Sequence, residues 1–217
     1  MENKNITVVK HSLLETHLSI IRNKYSSSFL YKSSMQIVAN ILCLEAIKNL
    51  PLDEIEVETP IAKTKAKTIS NDYNIIITPI LRSGLIISQV LENLLPMAKT
   101  YMLGMARNEK TFQPDWYYNK LPSTIENKER TLIFICDPML ATGGSAYETI
   151  RVYIDKGIPQ ENITFINIIS VPEGLNRIFT EFPKIKLITG SIDEKLNEVK
   201  YIIPGLGDAG DRYFNTL

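Results

Sequence analysis

A nine-residue segment, Asp137-Pro-Met-Leu-Ala-Thr-Gly-Gly-Ser145, constrains more than any other feature how this chain can fold. It follows a short apolar run at 131–136 that is typical of a buried strand, and it precedes residues 146–154, whose apolar positions have helical spacing. A strand–turn–helix unit of this kind presents unpaired backbone N–H groups and the positive end of a helix dipole to an anion. The segment therefore predicts a phosphate-binding turn at the carboxyl end of a strand in an α/β sheet.

The residue types in this segment suit a phosphorylated sugar. Gly143 and Gly144 let the backbone close around an anion, because neither carries a Cβ. Thr142 and Ser145 add hydroxyl donors, and Asp137 offers an acceptor for sugar hydroxyls. The alternative is an ordinary strand-to-helix turn with a Thr or Ser cap, since caps favour the same residues. The lysine of a Walker A loop and the G-x-G-x-x-G spacing of a dinucleotide turn are both missing.

A second glycine-rich segment spans residues 201–212. Gly205, Gly207 and Gly210 fall within six residues of one another, which gives more backbone freedom than a helix or a central strand tolerates. The segment predicts either a plain surface loop or a loop whose backbone groups contact a flat ligand.

Composition narrows the class of protein. A chain of 217 residues with 44% hydrophobic and 22% charged residues is long enough for one α/β domain, here 1–217. The net charge of zero implies no broad basic face for nucleic acid, so an anion site must be local. No apolar run reaches the roughly 18 residues needed to span a membrane, and the first residues lack the apolar region of a signal peptide. Cys43 and Cys136 lie in apolar runs and are expected to be buried thiols, so a cytoplasmic location is expected.

The order of the elements favours a parallel sheet. Hydrophobic spacing predicts helices at 12–23, 33–50, 85–95, 146–154 and 172–182, and strands at 55–59, 75–80, 100–106, 131–136, 163–169, 185–189 and 199–203. The strand at 55–59 alternates apolar and polar residues, which predicts one exposed face. From residue 75 onward strands alternate with single helices, as in βαβ units.

Three motifs together resemble the uracil phosphoribosyltransferase family. The segment 137–145 resembles the loop with which that family binds 5-phosphoribosyl-1-pyrophosphate (PRPP), and 201–212 resembles its uracil-binding segment. Pro79-Ile-Leu-Arg-Ser-Gly-Leu85, followed by 104–111, resembles the segments that carry its pyrophosphate-binding arginines. The similarity is strongest from about residue 77 onward and is loose in the N-terminal third.

The resemblance implies the type I phosphoribosyltransferase fold, in the α/β class. A mostly parallel central sheet is flanked by helices, with N-terminal helices at about 12–50, a protruding β-arm at about 108–121 and a C-terminal hood at about 190–217. The implied reaction transfers the phosphoribosyl group of PRPP to N1 of uracil and gives UMP and diphosphate. The implied catalytic residues are Arg82, Arg107 and Asp208. The implied PRPP-binding residues are Arg82, Arg107, Asp137, Pro138, Met139, Leu140, Ala141, Thr142, Gly143, Gly144, Ser145 and Asp208. The implied uracil-binding residues are Ile202, Gly207, Asp208 and Ala209.

The resemblance also bears on metals and partners. Pro138 stands where related PRPP loops carry a second acid, so Mg²⁺ is expected to bind through PRPP oxygens and water rather than through protein ligands. His11 and His17 are expected to be solvated polar residues. A homodimer or a higher homo-oligomer is expected, and GTP is an effector in some members. The aromatic residues at 116–118 suit either packing within the arm or a subunit interface, and the interface is the preferred interpretation.

Several positions depart from the family pattern. Ser83 stands where the family usually has Ala, and Asn215 where it usually has Gly. Leu44 and residues 47–49 stand where a Tyr-Glu-Ala-Thr-Arg-Asp pattern is common. Two alternatives stay open at this point: a phosphoribosyltransferase for another base, and a regulatory protein that senses PRPP or a nucleotide on the same fold.

Overall fold

The carboxyl ends of parallel strands define one edge of a central sheet, and the computed structural model describes residues 4–107 and 114–216 around it. The elements in chain order are β1 (Ile6–Val8), α1 (Ser12–Arg22), α2 (Ser28–Ile47), β2 (Leu52–Glu58), β3 (Lys63–Ile69), β4 (Asn74–Leu81), α3 (Leu85–Leu94), β5 (Lys99–Thr100), β6 (Leu103–Arg107), β7 (Pro114–Asn119), β8 (Thr131–Cys136), β9 (Met139–Leu140), α4 (Gly144–Asp155), β10 (Ile163–Ser170), α5 (Pro172–Glu181), β11 (Lys186–Ile192), β12 (Lys195–Leu196), β13 (Ile202–Ile203) and α6 (Ala209–Phe214).

The central sheet has the strand order β1-β11-β10-β8-β4-β6-β7, with β5 paired to β4 and β9 paired to β10. Its pairings are parallel except for β6 with β7, which run antiparallel and form the base of the predicted arm. Residues 108–113 of the arm lie outside the described residues. The mostly parallel sheet expected from the alternation of strands and helices is confirmed.

Helices cover both faces of the sheet, which explains why its central strands are continuous apolar runs. Every residue of β10 is buried, and so are six of the eight residues of β4. On one face, α1, α2, α3 and the C-terminal segment enclose a core that includes Leu14, Met35 and Leu206. On the other face, α4 and α5 enclose a core that includes Ile150, Tyr153 and Phe165.

Side-chain caps set the beginnings of the N-terminal helices. The Leu13 N–H donates to His11 Nδ1 over 3.1 Å at α1. The Leu30 N–H donates to Ser27 Oγ over 3.3 Å, so α2 begins earlier than the predicted residue 33. His17 is half-buried and lies 3.0 Å from the Oγ of buried Ser34, so the expectation of a solvated side chain is wrong for His17.

The strand predicted at 55–59 belongs to a separate hairpin. β2 pairs antiparallel with β3, which the sequence did not reveal because Lys63–Ile69 has a polar lysine-rich pattern. Both faces of β2 are exposed, so the prediction that only one face would be exposed is wrong. Glu and Lys residues face each other across the strands, and Lys65 forms an ion pair with its diagonal neighbour Glu54 over 2.6 Å.

The C-terminal hood, which we define as residues 193–216, differs from expectation in its details. Residues 190–192 belong to β11 of the central sheet, so the hood begins after them. The strand predicted at 199–203 is reduced to β13, which pairs with β12 and not with the central sheet. The end of the glycine-rich segment forms the short helix α6, because the Asp208 side chain caps the N–H of Asp211 over 2.9 Å.

An ion pair ties the start of the hood to α1. The guanidinium of Arg22 contacts both carboxylate oxygens of Asp193, over 2.6 and 2.7 Å. The same carboxylate accepts from the Gly205 N–H and the Ser191 hydroxyl, and Arg22 also donates to the Gly205 carbonyl. Burial alone would raise the pKa of Asp193, but the hydrogen bonds from Arg22 and Gly205 outweigh it and hold that pKa below its ordinary value.

A second arginine anchors the end of the hood. Arg212 donates to the carbonyls of Ile21 and Leu206, each over 2.6 Å, and to the carbonyl of Asn23 over 2.8 Å. Its guanidinium also stacks 4.2 Å from the centre of the Tyr31 ring.

The substitution Asp193→Asn is expected to lower the free energy of unfolding by about 1–3 kcal/mol near neutral pH, because it leaves Arg22 partly buried without a counter-charge. Urea unfolding followed by circular dichroism measures this loss. The matched control is Glu54→Gln in the exposed hairpin pair, with an expected change within about 0.5 kcal/mol. The pKa of Asp193 is lowered in the folded state, so its contribution is present above the unfolded pKa of about 4 and is lost as the pH falls further. Equal losses in the two variants would contradict this role of the hood anchor.

Candidate functional site

A close approach of backbone brings two predicted site loops together. Gly84 follows β4, and a Cβ at this position would lie 2.2 Å from the carbonyl oxygen of Cys136 at the end of β8. Only glycine allows this contact. The loop that carries Arg82 and Ser83 is therefore held against the beginning of segment 137–145, as expected for neighbouring parallel strands that end at the same edge.

The first part of segment 137–145 is built into the sheet. Pro138 accepts hydrogen bonds from the N–H groups of Ile168 and Ile169, and the Leu140 carbonyl accepts from Val171. Met139 and Leu140 form β9, and the Leu140 side chain is buried in the core beneath α4 and α5. These predicted residues thus fix the position of the turn that follows, residues 141–145.

The turn itself relies on glycine at two places. Gly143 has φ +74°, in the left-handed region that favours glycine. Gly174, on α5, packs so closely behind the turn that a Cβ there would lie 2.5 Å from the Ala141 carbonyl oxygen. Ala141, Thr142 and Ser145 are half-buried, whereas Gly143 and Gly144 are buried.

Helix α4 begins at this turn without a side-chain cap from the described residues. Gly143 occupies the cap position, and the Gly144 N–H donates to Thr142 Oγ1 over 3.5 Å, a long hydrogen bond. Glycine rather than Thr or Ser is therefore the cap residue, and Thr142 contributes only this long contact. A helix start with so little side-chain capping is typical of anion-binding helix starts.

Asp137 lies between the two loops and the hood. Its Oδ1 accepts from the Ser83 hydroxyl over 3.2 Å. Burial raises the pKa of Asp137 to about 7, hydrogen bonds from Ser83 and the Met139 N–H act in the opposite direction, and the negative charge of Asp208 raises it further. The carboxyl group therefore changes its charge near neutral pH.

Arg82 meets the hood directly. Its Nη2 donates to Asp211 Oδ1 over 3.0 Å, and its guanidinium lies 5.8 Å from the centre of the Phe214 ring. The Arg82 side chain is 57% exposed, so it is accessible at the mouth of the site. Arg107 is the last residue of β6, and its side chain lies outside the described residues.

The predicted uracil-binding residues lie together in the hood. Ile202 is buried in β13, and Gly205 turns so tightly behind it that a Cβ there would lie 2.2 Å from the Ile202 carbonyl oxygen. Gly207 has φ +77°, while Ala209 is buried at the start of α6. A Cβ on Gly210 would lie 3.8 Å from the Ser83 Cβ, which places α6 against the loop that carries Arg82.

Sequence reasoning missed the residues that connect these parts. Asp211 was given no role in substrate binding or catalysis, although it pairs with Arg82 and accepts from Thr216 Oγ1 over 2.7 Å. Ser83 was noted only as a departure from the family pattern. The spacing from Asp208 to Asp211 is the one signal that could have indicated the capped helix α6, since Asp is a common N-cap.

The described residues offer neither a cluster of metal ligands nor a membrane-spanning helix. Their His, Cys, Asp and Glu side chains form no group of three or more that could hold a metal ion. None of the helices in the described ranges is both long and apolar enough to cross a membrane.

Removing the charge of Asp137 should stabilise the fold. The pKa of this carboxyl is raised, so its ionisation costs folding free energy above about pH 7, and that cost disappears below the unfolded pKa of about 4. At about pH 8, Asp137→Asn is expected to raise the free energy of unfolding by roughly 1–3 kcal/mol, allowing for partial exposure. Thermal unfolding at about pH 8 and pH 5 measures the difference, which should be smaller at the lower pH. A variant less stable than wild type at the higher pH would contradict the burial argument.

Comparison with known proteins places the chain in a family. The family model described as "Uracil phosphoribosyltransferase" matches residues 8–216. A uracil phosphoribosyltransferase from Campylobacter curvus is 41% identical over 99% of this chain and 100% of its own length. Another, from Clostridium novyi, is 43% identical over 97% of this chain and 98% of its own length.

Solved structures agree with the fold. The AQ2163 protein from Aquifex aeolicus superposes with a TM-score of 0.86 at 34% identity, over 96% of this chain and 97% of that chain. An adenine phosphoribosyltransferase from Thermoanaerobacter pseudethanolicus superposes with a TM-score of 0.53 at 13% identity, over 82% of this chain and 99% of that chain, which supports the fold alone. The type I phosphoribosyltransferase fold expected from the sequence is confirmed, and the chain belongs to the uracil phosphoribosyltransferase family.

Proposed function

We propose that the protein transfers the phosphoribosyl group of PRPP to N1 of uracil, using the cleft between segment 137–145, the Arg82 loop and the hood. In this reaction the N1–C1 bond forms, the bond from C1 to the pyrophosphate oxygen breaks, and the N1 proton is released. The convergence of Ser83, Asp137 and the hood at one edge of the sheet is the observation that carries the proposal. Family membership over nearly the whole chain supports the same activity.

PRPP would be held by the turn and its neighbours. The uncapped start of α4 and the hydroxyls of Thr142 and Ser145 suit the 5-phosphate. Asp137, when ionised, suits the ribose hydroxyls as an acceptor. Pro138, Met139 and Leu140 would act mainly by holding this turn, since their backbone groups pair with β10 and the residue after it.

Arg82 and Arg107 would stabilise the negative charge that develops on the departing pyrophosphate. Arg82 is exposed and can exchange the carboxylate of Asp211 for pyrophosphate oxygens, which suit a guanidinium fork. Asp208, close enough to influence Asp137, would either assist loss of the uracil proton or balance positive charge on the sugar.

Mg²⁺ would enter with the substrate. Its ligands would be PRPP oxygens and water, since Mg²⁺ gives up its water ligands reluctantly. When bound, the ion would neutralise charge on the pyrophosphate. Asp137 and Asp208 would be the carboxylates that accept hydrogen bonds from the water ligands of such an ion.

The assembly and the setting are part of the proposal. Trp116, Tyr117 and Tyr118 on β7 are all exposed, which supports a homodimer or a higher homo-oligomer, and one side of the Tyr117 ring also packs over Gly104 within the arm. Light scattering with and without GTP would measure both the assembly and an effect of this nucleotide. The buried free thiols of Cys43 and Cys136 suit a reducing setting such as the cytoplasm.

Arg82→Ala is expected to lower kcat/KM for PRPP on the order of 10²-fold or more, because the site loses a pyrophosphate-binding fork. Arg82→Lys should recover only part of this, since an ammonium group cannot form the fork. The matched control is Arg130→Ala, because Arg130 is also 57% exposed and pairs with an acid, Asp72, over 2.7 Å. Initial rates of pyrophosphate release measure all three. Activity of the Arg82→Ala variant equal to that of the control would overturn the role of Arg82.

Base selectivity tests the hood and separates the enzyme from a regulatory protein. We expect the backbone groups of Ile202, Gly207 and Ala209 to form hydrogen bonds with the pyrimidine edge. Cytosine would leave two of these bonds without a matching donor or acceptor, and each mismatch would cost about 1–3 kcal/mol of binding free energy. Uracil should therefore be preferred by roughly 10²- to 10⁴-fold, while 5-fluorouracil, whose edge is unchanged, should remain a substrate. UMP formation is followed with each base at equal concentration. Equal rates with cytosine or a purine would contradict the base assignment, and PRPP binding without UMP formation would favour a sensor.

A further inference from the structure

Ser83 occupies the point where three parts of the site meet. It lies between Arg82 and Gly84, in the loop held against Cys136 by the close approach of Gly84. Its hydroxyl donates to Asp137 Oδ1 over 3.2 Å, and its Cβ is 3.8 Å from the position that a Cβ on Gly210 would occupy. The half-buried Ser83 side chain thus links the strand ends to the hood.

The groups around Asp137 mostly oppose its ionisation, so the hydrogen bond from the Ser83 hydroxyl matters for its charge. From the hood, Asp208 adds a like charge, and from β8 the neighbouring Cys136 contributes a buried thiol with a raised pKa. The guanidinium of Arg82, the nearest cation in the loop, is paired with Asp211 instead. The Asp137 carboxylate accepts instead from the Ser83 hydroxyl and the Met139 N–H, both of which favour the ionised form.

We propose that Ser83 is a positioning residue for Asp137, whose carboxylate it holds in place and keeps ionised for the ribose hydroxyls of PRPP. The inference rests on the proposed function, because it assumes that Asp137 binds PRPP. An alanine at this position would remove the hydroxyl and leave the Met139 N–H to favour the carboxylate, so Asp137 would ionise at higher pH. Ser83 would thereby set the lower pH limit of efficient PRPP use.

The test compares wild type, Ser83→Ala and Ser83→Thr across about pH 5.5 to 9. Loss of the hydroxyl should move the acidic limb of the pH profile of kcat/KM for PRPP upward by about 0.5–1 pH unit. Near pH 6.5 this shift lowers kcat/KM by about 3- to 10-fold, and the loss becomes smaller toward pH 9. Ser83→Thr keeps a hydroxyl at the same place and should retain the wild-type limb. Ionisation of PRPP itself affects all three proteins equally. Thermal unfolding of each variant shows whether the fold is intact.

Two results would overturn the inference. One is an alanine variant whose pH profile coincides with that of wild type, and the other is an alanine variant whose activity falls by the same factor at every pH, as a purely structural defect would produce. Isothermal calorimetry with PRPP at about pH 6.5 and 9 repeats the comparison without turnover. If wild type binds PRPP but forms no UMP, the proposed function fails while this comparison still decides the role of Ser83.

Discussion

The contact between Gly84 and the Cys136 carbonyl is the constraint on which the site depends. Backbone meets backbone there, so the loops after β4 and β8 are closer than any side chain would permit. This approach brings Ser83 to Asp137 and presents Arg82 to the hood. The chemistry of the site is thus set first by the absence of one Cβ and only then by the charged groups around it.

Two charged groups of the site, Asp137 and Arg82, are only weakly stabilised by their protein neighbours. Asp137 is half-buried beside a like charge, so its ionised form costs stability, whereas Asp193 is paired with Arg22 and has a lowered pKa. Arg82 pairs with an acid that a stronger anion can displace. The ion pair of Asp193 with Arg22 thus stabilises the fold, whereas the charges of Asp137 and Arg82 are only partly compensated within the protein. Such incomplete compensation is typical of sites where a ligand supplies the remaining interactions.

Local sequence patterns predicted much of the fold and of the site. The buried strands β4, β8 and β10 follow from continuous apolar runs, and the turn at 141–145 follows from its glycines and hydroxyls. The hairpin strand β3 could not be predicted, because its partner β2 supplies its pairing and charge complement across the chain. Helix α6 was missed because the glycines at 205 and 207 suggested a loop, while the cap at Asp208 overrode that tendency. The pairings Arg82–Asp211 and Ser83–Asp137 join residues far apart in sequence, so the spacing of motifs could not reveal them.

The anchor made by Arg212 has a consequence for how this chain tolerates change. All three of its hydrogen-bond acceptors are main-chain carbonyls, at Ile21, Asn23 and Leu206. These hydrogen bonds do not depend on the identity of the side chains at these positions. The turn between α1 and α2 can therefore vary in sequence while Arg212 still holds the hood in place.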